Sequence, residues 1–168
     1  MAPPQAGTLR ISESGPQPGY RPCVGLMVIN PAGLVWIGER RGAAGSWQMP
    51  QGGIGRGERP LDAALRELVE EIGTDRVELA AESSRWYAYD LPPESIAAFH
   101  HGRYRGQSQK WFALRFAGRD AEIDVQTAKP EFLRWRWAPP SEVVDLIVPF
   151  KRAVYEAVFA EFEPLLEP

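Results

Sequence analysis

The chain has 168 residues, with 19 Lys and Arg against 22 Asp and Glu and a formal net charge of −3. A composition of 44% hydrophobic and 24% charged residues is an ordinary globular balance, which excludes wholesale disorder, and no apolar run is long enough for a membrane span. One cysteine, Cys23, excludes an internal disulfide framework and a cysteine-based zinc site, and the mildly acidic balance argues against a general nucleic-acid coat protein. The start of the chain has no apolar segment behind a basic stretch, so no secretory leader is expected, and the lone thiol fits a reducing cytoplasm. Residues 1–19 hold Pro3, Pro4, Pro16 and Pro18 with Gly7, Gly15 and Gly19, which predicts a flexible Pro/Gly-rich tail, although Leu9 and Ile11 could pack locally. Residues 20–168 are then the folded domain. Residues 23–29 are an apolar run of strand formers, Asn30 to Gly33 give a turn, and 34–37 resume as a strand, so a hairpin is predicted.

Residues 42–58 carry six glycines around a short Trp-Gln-Met segment and predict a functional loop zone. Pro60 sits where a first helical residue would, Leu61, Ala64, Leu65, Leu68, Val69 and Ile72 recur at helical spacing, and Gly73 is a stop signal. Strands are predicted over 77–79, 86–89, 110–116 and 133–137, a short helix over 142–147, and a terminal amphipathic helix over 151–162 with Val154, Tyr155, Val158, Phe159 and Phe162 on one side. Strands and helices mix without regular βα alternation, which suggests an α+β or layered domain with a mixed sheet.

Glu67, Glu70 and Glu71 stand at i, i+3 and i+4, on one helix stripe roughly 130° from the middle of the apolar one. Such a trio is also what a solvated face looks like, since exposed like charges cost little. Its neighbours sharpen the reading. Hard divalent cations such as Mg²⁺ prefer carboxylate and carbonyl oxygens beside substrate phosphates, and the loop from Gly52 to Gly57 lets backbone approach closely. Arg66 could orient the helix carboxylates or Glu58.

Gly52, five residues, Glu58, seven residues, then Arg66-Glu67-Leu68-Val69-Glu70-Glu71-Ile72-Gly73 resembles the Nudix box, GX5EX7REUXEEXGU. All seven fixed positions match, and only Thr74 departs, where the box has a bulky aliphatic residue. The resemblance implies an α/β/α sandwich and Mg²⁺- or Mn²⁺-dependent hydrolysis of a diphosphate linked to another moiety. It places Glu67, Glu70 and Glu71 at metal-ligand positions, with Gly52 as a loop carbonyl ligand.

Outside the box, Tyr20-Arg21-Pro22, Ser46-Trp47-Gln48-Met49-Pro50-Gln51, Gln107-Ser108-Gln109-Lys110-Trp111, Pro130-Glu131-Phe132 and Val148-Pro149-Phe150-Lys151 stand in order. Together they resemble the bacterial RNA pyrophosphohydrolase group, which shades into the dinucleoside polyphosphate hydrolases. That implies removal of pyrophosphate from 5′-triphosphorylated RNA, or of phosphate from diphosphorylated RNA, leaving a 5′-monophosphate that triggers decay. Cleavage of diadenosine tetraphosphate is the alternative, and a catalytically silent nucleotide-binding Nudix domain a further one. Arg21, Lys110 and Lys151 are candidate phosphate contacts, or else solvated charges. Phe150 could stack on a base or sit in the core, and Ser46 and Gln51 could bond phosphate or the first nucleotide. Glu131 stands where the resemblance implies an acid assisting the metals or serving as general base. His100 and His101 open a polar stretch and read as surface residues, and Cys23 as a buried small apolar one.

Overall fold

Alternation along one strand, β2 (Arg21–Ile29), sets the architecture. Val24, Leu26 and Val28 join one core with Ala63, Ala64, Leu68 and Ile72, while Met27 and Ile29 join another with Val154, Tyr155, Val158 and Phe162. A strand apolar on both faces has to be covered on both faces. The computed structural model, which describes residues 8–168, covers them with helices on either side of one sheet. The remaining elements are β1 (Leu9–Ser12), β3 (Val35–Arg40), β4 (Trp47–Gln48), β5 (Gln51–Gly53), α1 (Pro60–Ile72), β6 (Val77–Asp90), α2 (Pro93–Ile96), β7 (Gly106–Phe116), β8 (Phe132–Ala138), α3 (Pro140–Leu146) and α4 (Arg152–Phe162). The sheet runs β1-β6-β7-β2-β3-β4, with β5 paired to β2 and β8 to β3. β2 and β7 are parallel and the other pairs antiparallel, so the sheet is mixed and the molecule is the expected α/β/α sandwich. Among the described residues no helix is long and apolar enough to cross a membrane.

Helix α1 begins at Pro60 and ends at Gly73, which adopts φ 75° and returns its N–H to the Val69 carbonyl. A Cβ at Gly73 would also come within 2.5 Å of the Asp124 carbonyl oxygen, so glycine is required twice over. The buried arc of α1 is rotated from the sequence expectation. Ala63, Ala64, Leu68, Glu71 and Ile72 face the sheet, whereas Leu65 and Val69 are 39% and 46% exposed. The sheet accepts the small Ala63 side of the helix, and Glu71 goes in with it instead of pointing away.

Three further expectations change. Residues 9–12, assigned to a flexible tail, form β1 and pair with the edge of β6 from Leu9↔Tyr89 to Ser12↔Trp86; the rest of that stretch up to residue 7 lies outside the described residues. Strands predicted over 77–79 and 86–89 are one strand, β6, whose register shifts between Leu79 and Ala81 and again between Glu82 and Trp86. The hairpin closes only at Ile29↔Val35, after which β3 turns to β8 and β4 while β2 takes β5 and β7.

Candidate active site

β5 brings Gly52 opposite Val24 of β2, directly beneath α1. A Cβ there would meet the Glu67 carboxyl carbon at 1.9 Å, so only glycine lets the strand approach this carboxylate. Glu67 is half-buried, Glu70 exposed, and Glu71 only 6% exposed. Glu71 accepts the Gln51 N–H at 3.2 Å. Burial, and then the neighbouring Glu67, push the Glu71 carboxyl well above the usual carboxylate range, and Glu131 and Glu70 act in the same direction. Burial also raises Glu67, against the opposing pull of Arg66.

Arg66 braces this wall. Its Nε and Nη2 donate to the two Glu58 oxygens, both at 2.9 Å, and Nη2 also reaches the Gly53 carbonyl at 2.8 Å. Its Nη1 donates to Glu67 at 2.8 Å and Glu70 at 3.3 Å. Glu58 accepts the Gly55 N–H at 2.9 Å as well, and these donors, Arg66 foremost, hold its carboxyl down at about 2. The glycine loop and the helix are therefore locked together by one guanidinium.

A cavity of about 660 Å³ opens beside this wall. Glu67, Val69, Glu70 and Glu71 form one side. The other sides carry Arg21 and Gln51, Arg40 from the end of β3, Gln107 from the start of β7, and Thr127, Lys129 and Glu131 from the segment before β8. That segment is tied at both ends: the Asp124 N–H donates to the Ile72 carbonyl at 2.9 Å, and the Arg41 N–H to the Glu131 carbonyl at 2.9 Å. Among the described residues no carboxylate forms an ion pair with Arg21, Arg40 or Lys129. Behind the cavity, Gln109 Nε2 donates to Gln51 and Gln107 at 3.0 Å each, and Trp111 Nε1 to Gln109 at 3.1 Å, so Gln51 is held by a chain of amides. Lys151 is 5% exposed, donates to Gln48 at 3.2 Å, and lies over the Tyr89 ring at 5.6 Å. Burial first, and then Arg40, lower its ammonium to about 7.

Of the residues singled out in the sequence, Arg21, Gln51, Gly52, Glu67, Glu70, Glu71 and Glu131 share the cavity, Arg66 stands behind it, and Lys151 borders it through Gln48. Lys110 does not reach it. Strand alternation puts Lys110 on the α1-side face with Phe112, and it pairs with Glu82 of β6 at 3.3 Å. Ser46 closes the turn after β3, its carbonyl accepting the Arg40 N–H and its N–H donating to Ala43, outside the cavity wall. Phe150 is partly buried and packs against Tyr89 at 5.7 Å at the margin of the α4-side core. His100 and His101 are exposed, as expected, in a turn where both adopt positive φ. The sequence reading missed Arg40, Gln48, Gln107, Thr127 and Lys129. Gln48 and Gln107 lay inside quoted motifs, but Arg40, Thr127 and Lys129 carried no pattern of their own.

The donors on the acidic wall are carboxylate oxygens with one adjacent strand backbone, a hard-oxygen set that fits a divalent cation of the Mg²⁺ kind. The raised Glu67 and Glu71 carboxyls are groups for which a cation would offset desolvation. Among the described residues no three acidic, His or Cys groups already converge as a ligand set, and Arg66 is paired with Glu67 and Glu70.

A mixed sheet between helices, with a strand glycine pressed on a glutamate helix, is the arrangement of a Nudix hydrolase; the NUDIX domain matches residues 19–158, and the chain belongs to this family. Nudix hydrolases generally use divalent metal cations. The RNA pyrophosphohydrolase of Brucella anthropi is 53% identical over 159 residues, covering 88% of this chain and 91% of that protein. That of Roseobacter denitrificans is 52% identical over 147 residues, covering 86% and 92%. Among solved structures, a C. elegans Ap4A hydrolase binary complex matches with TM-score 0.62 at 14% identity, over 86% of this chain and 98% of that one, a likeness of fold alone.

Proposed function

We propose that the chain is an RNA pyrophosphohydrolase, which removes pyrophosphate from 5′-triphosphorylated RNA, or phosphate from diphosphorylated RNA, and leaves the 5′-monophosphate that starts decay. The observation that carries the reading is the mixed charge of one cavity: the α1 carboxylates line it together with Arg21, Arg40 and Lys129, cations left without acidic partners among the described residues. A polyphosphate bridged to a cation suits such a lining. The choice of RNA is supported by 53% identity over most of the chain to proteins named for that activity.

Glu67, Glu70 and Glu71, with the Gly52 carbonyl, would hold Mg²⁺ or Mn²⁺. When bound, the ion supplies charge neutralisation at phosphate oxygens and a more acidic water. The chain's own residues do the rest. Arg66 fixes Glu67 relative to the loop, and the Gln51 N–H fixes Glu71. Arg21 and Arg40 bind phosphate oxygens, and Lys151 adds positive charge from behind Gln48. Glu131 takes the proton of the attacking water on its carboxylate. The buried free thiol of Cys23 supports a cytoplasmic setting.

The test is product analysis with Mg²⁺ on 5′-triphosphate RNA beside diadenosine tetraphosphate, comparing kcat/KM. Pyrophosphate release with the higher kcat/KM on RNA is expected. A higher value on the dinucleotide makes the chain a dinucleoside polyphosphate hydrolase, and nucleotide binding without turnover makes it a silent Nudix module; either result overturns the reading.

A further inference from the structure

The segment between the 3₁₀ turn Asp120–Glu122 and β8 is held at both ends and presents its middle to the cavity. At one end the Asp124 N–H is bonded to the last carbonyl of α1, and Gly73 packs so closely there that no side chain fits. At the other, Arg41 donates its N–H to the Glu131 carbonyl and its Nη2 to Gln126 Oε1 at 3.2 Å. Thr127, Ala128 and Lys129 lie between these ties and line the same cavity as Val69 and Glu70.

Two features of this stretch bear on what the cavity takes. Thr127 Oγ1 is shielded from solvent and has no hydrogen-bond partner among the described residues, so it meets an anion in the cavity only after rotation about χ1. A buried hydroxyl without a partner is destabilising, and valine would fill the same space without that cost. Lys129 is exposed and forms no ion pair among the described residues, although Glu70 and Glu131 share its cavity. A hydroxyl donor and an ammonium within one tied segment suit an anion with several oxygens.

We propose that Thr127 and Lys129 form a phosphate subsite on the segment before β8, which grips the substrate's polyphosphate at a phosphoryl group away from the one held against the glutamates. The inference rests on the polyphosphate reading of the cavity. The subsite binds ground state and transition state alike, so its loss raises KM and leaves kcat in place.

The experiment compares wild type with Lys129→Ala, Lys129→Arg, Thr127→Val and Thr127→Ser, on 5′-triphosphate RNA kinetics with Mg²⁺, on direct binding of inorganic tripolyphosphate, and on thermal melting. Lys129→Ala is expected to raise KM and weaken tripolyphosphate binding about tenfold with kcat within about twofold, and Lys129→Arg to restore most of the loss. Thr127→Val is expected to weaken binding severalfold while melting no lower than wild type, and Thr127→Ser to keep wild-type affinity. Unchanged KM and unchanged tripolyphosphate affinity in both Lys129→Ala and Thr127→Val overturn the subsite. Wild type inactive on RNA and on diadenosine tetraphosphate sinks the functional reading instead, and the tripolyphosphate measurement then still decides the subsite.

Discussion

The two walls of the cavity are built on different principles. On α1 the charged groups are already satisfied by one another: Arg66 serves Glu58, Glu67, Glu70 and the Gly53 carbonyl, and Gln51 serves Glu71. Elsewhere around the cavity, Arg21, Arg40 and Lys129 have no acidic partner among the described residues. The first wall is pre-organised and carries the cost of two desolvated carboxylates. The second is complete only when an anion arrives. This asymmetry is what a site needs if its chemistry demands fixed geometry on one side and its substrate brings the charge on the other.

The largest effects should come from breaking the ordered wall. Glu71→Gln is expected to cut turnover by roughly two or more orders of magnitude. The same variant, by removing a buried charge while keeping an acceptor for the Gln51 N–H, is expected to melt higher than wild type in the absence of divalent cation. A melting scan beside the activity assay checks both; a lower melting point would contradict the desolvated-carboxylate account. Gly52→Ala should act similarly on rate, because its methyl overlaps the Glu67 carboxylate, which can swing aside without unfolding the chain.

Packing gives the next contrast, within α1 itself. Leu68→Ala should cost about 2–5 kcal/mol, since Leu68 is fully buried, whereas Leu65→Ala on the exposed flank should cost under about 1 kcal/mol. Denaturant unfolding of the pair measures this directly, and equal losses would overturn the rotated arc described above.

A smaller effect belongs to Lys151. Its ammonium is lowered by burial to about 7 from 10.5, so between those values the unfolded chain holds the extra proton and stability rises with pH. Cys23, pushed by burial from 9.0 up to about 12, works in the opposite sense above 9. Lys151→Met should therefore stabilise most near pH 6.5, and the gain should shrink by pH 8.5. A gain that grows with pH would contradict the buried-ammonium account. The Glu58 carboxyl, held at about 2, adds stability present above the ordinary carboxylate value and lost as pH falls toward 2.

The sequence disclosed the acidic wall far better than its counterpart. Pro60, Gly73 and the spacing of Arg66, Glu67, Glu70 and Glu71 are local signals, and α1 forms where they place it. Which arc of α1 is buried depends on the sheet it meets, and periodicity alone put Leu65 and Val69 inside. β6 reads as two strands because Ala80 to Arg85 breaks the apolar pattern, yet β7 pairs along its length and bulges absorb the mismatch. The polar start of β7 was missed because Gln107 and Gln109 are buried by bonding each other, a nonlocal arrangement with no hydrophobic signature. Lys110 was misplaced for the same kind of reason: its position in a motif says nothing about Glu82 on the neighbouring strand. The cationic wall draws Arg21, Arg40 and Lys129 from three distant segments, and only the fold brings them to one cavity.

The most direct measurement is the Mg²⁺ dependence of pyrophosphate release from 5′-labelled triphosphate RNA by wild type and by Glu71→Gln. The account predicts saturable, Mg²⁺-dependent release by wild type and near-total loss in the variant. Equal release by both proteins, or release by wild type that ignores divalent cation, would contradict it.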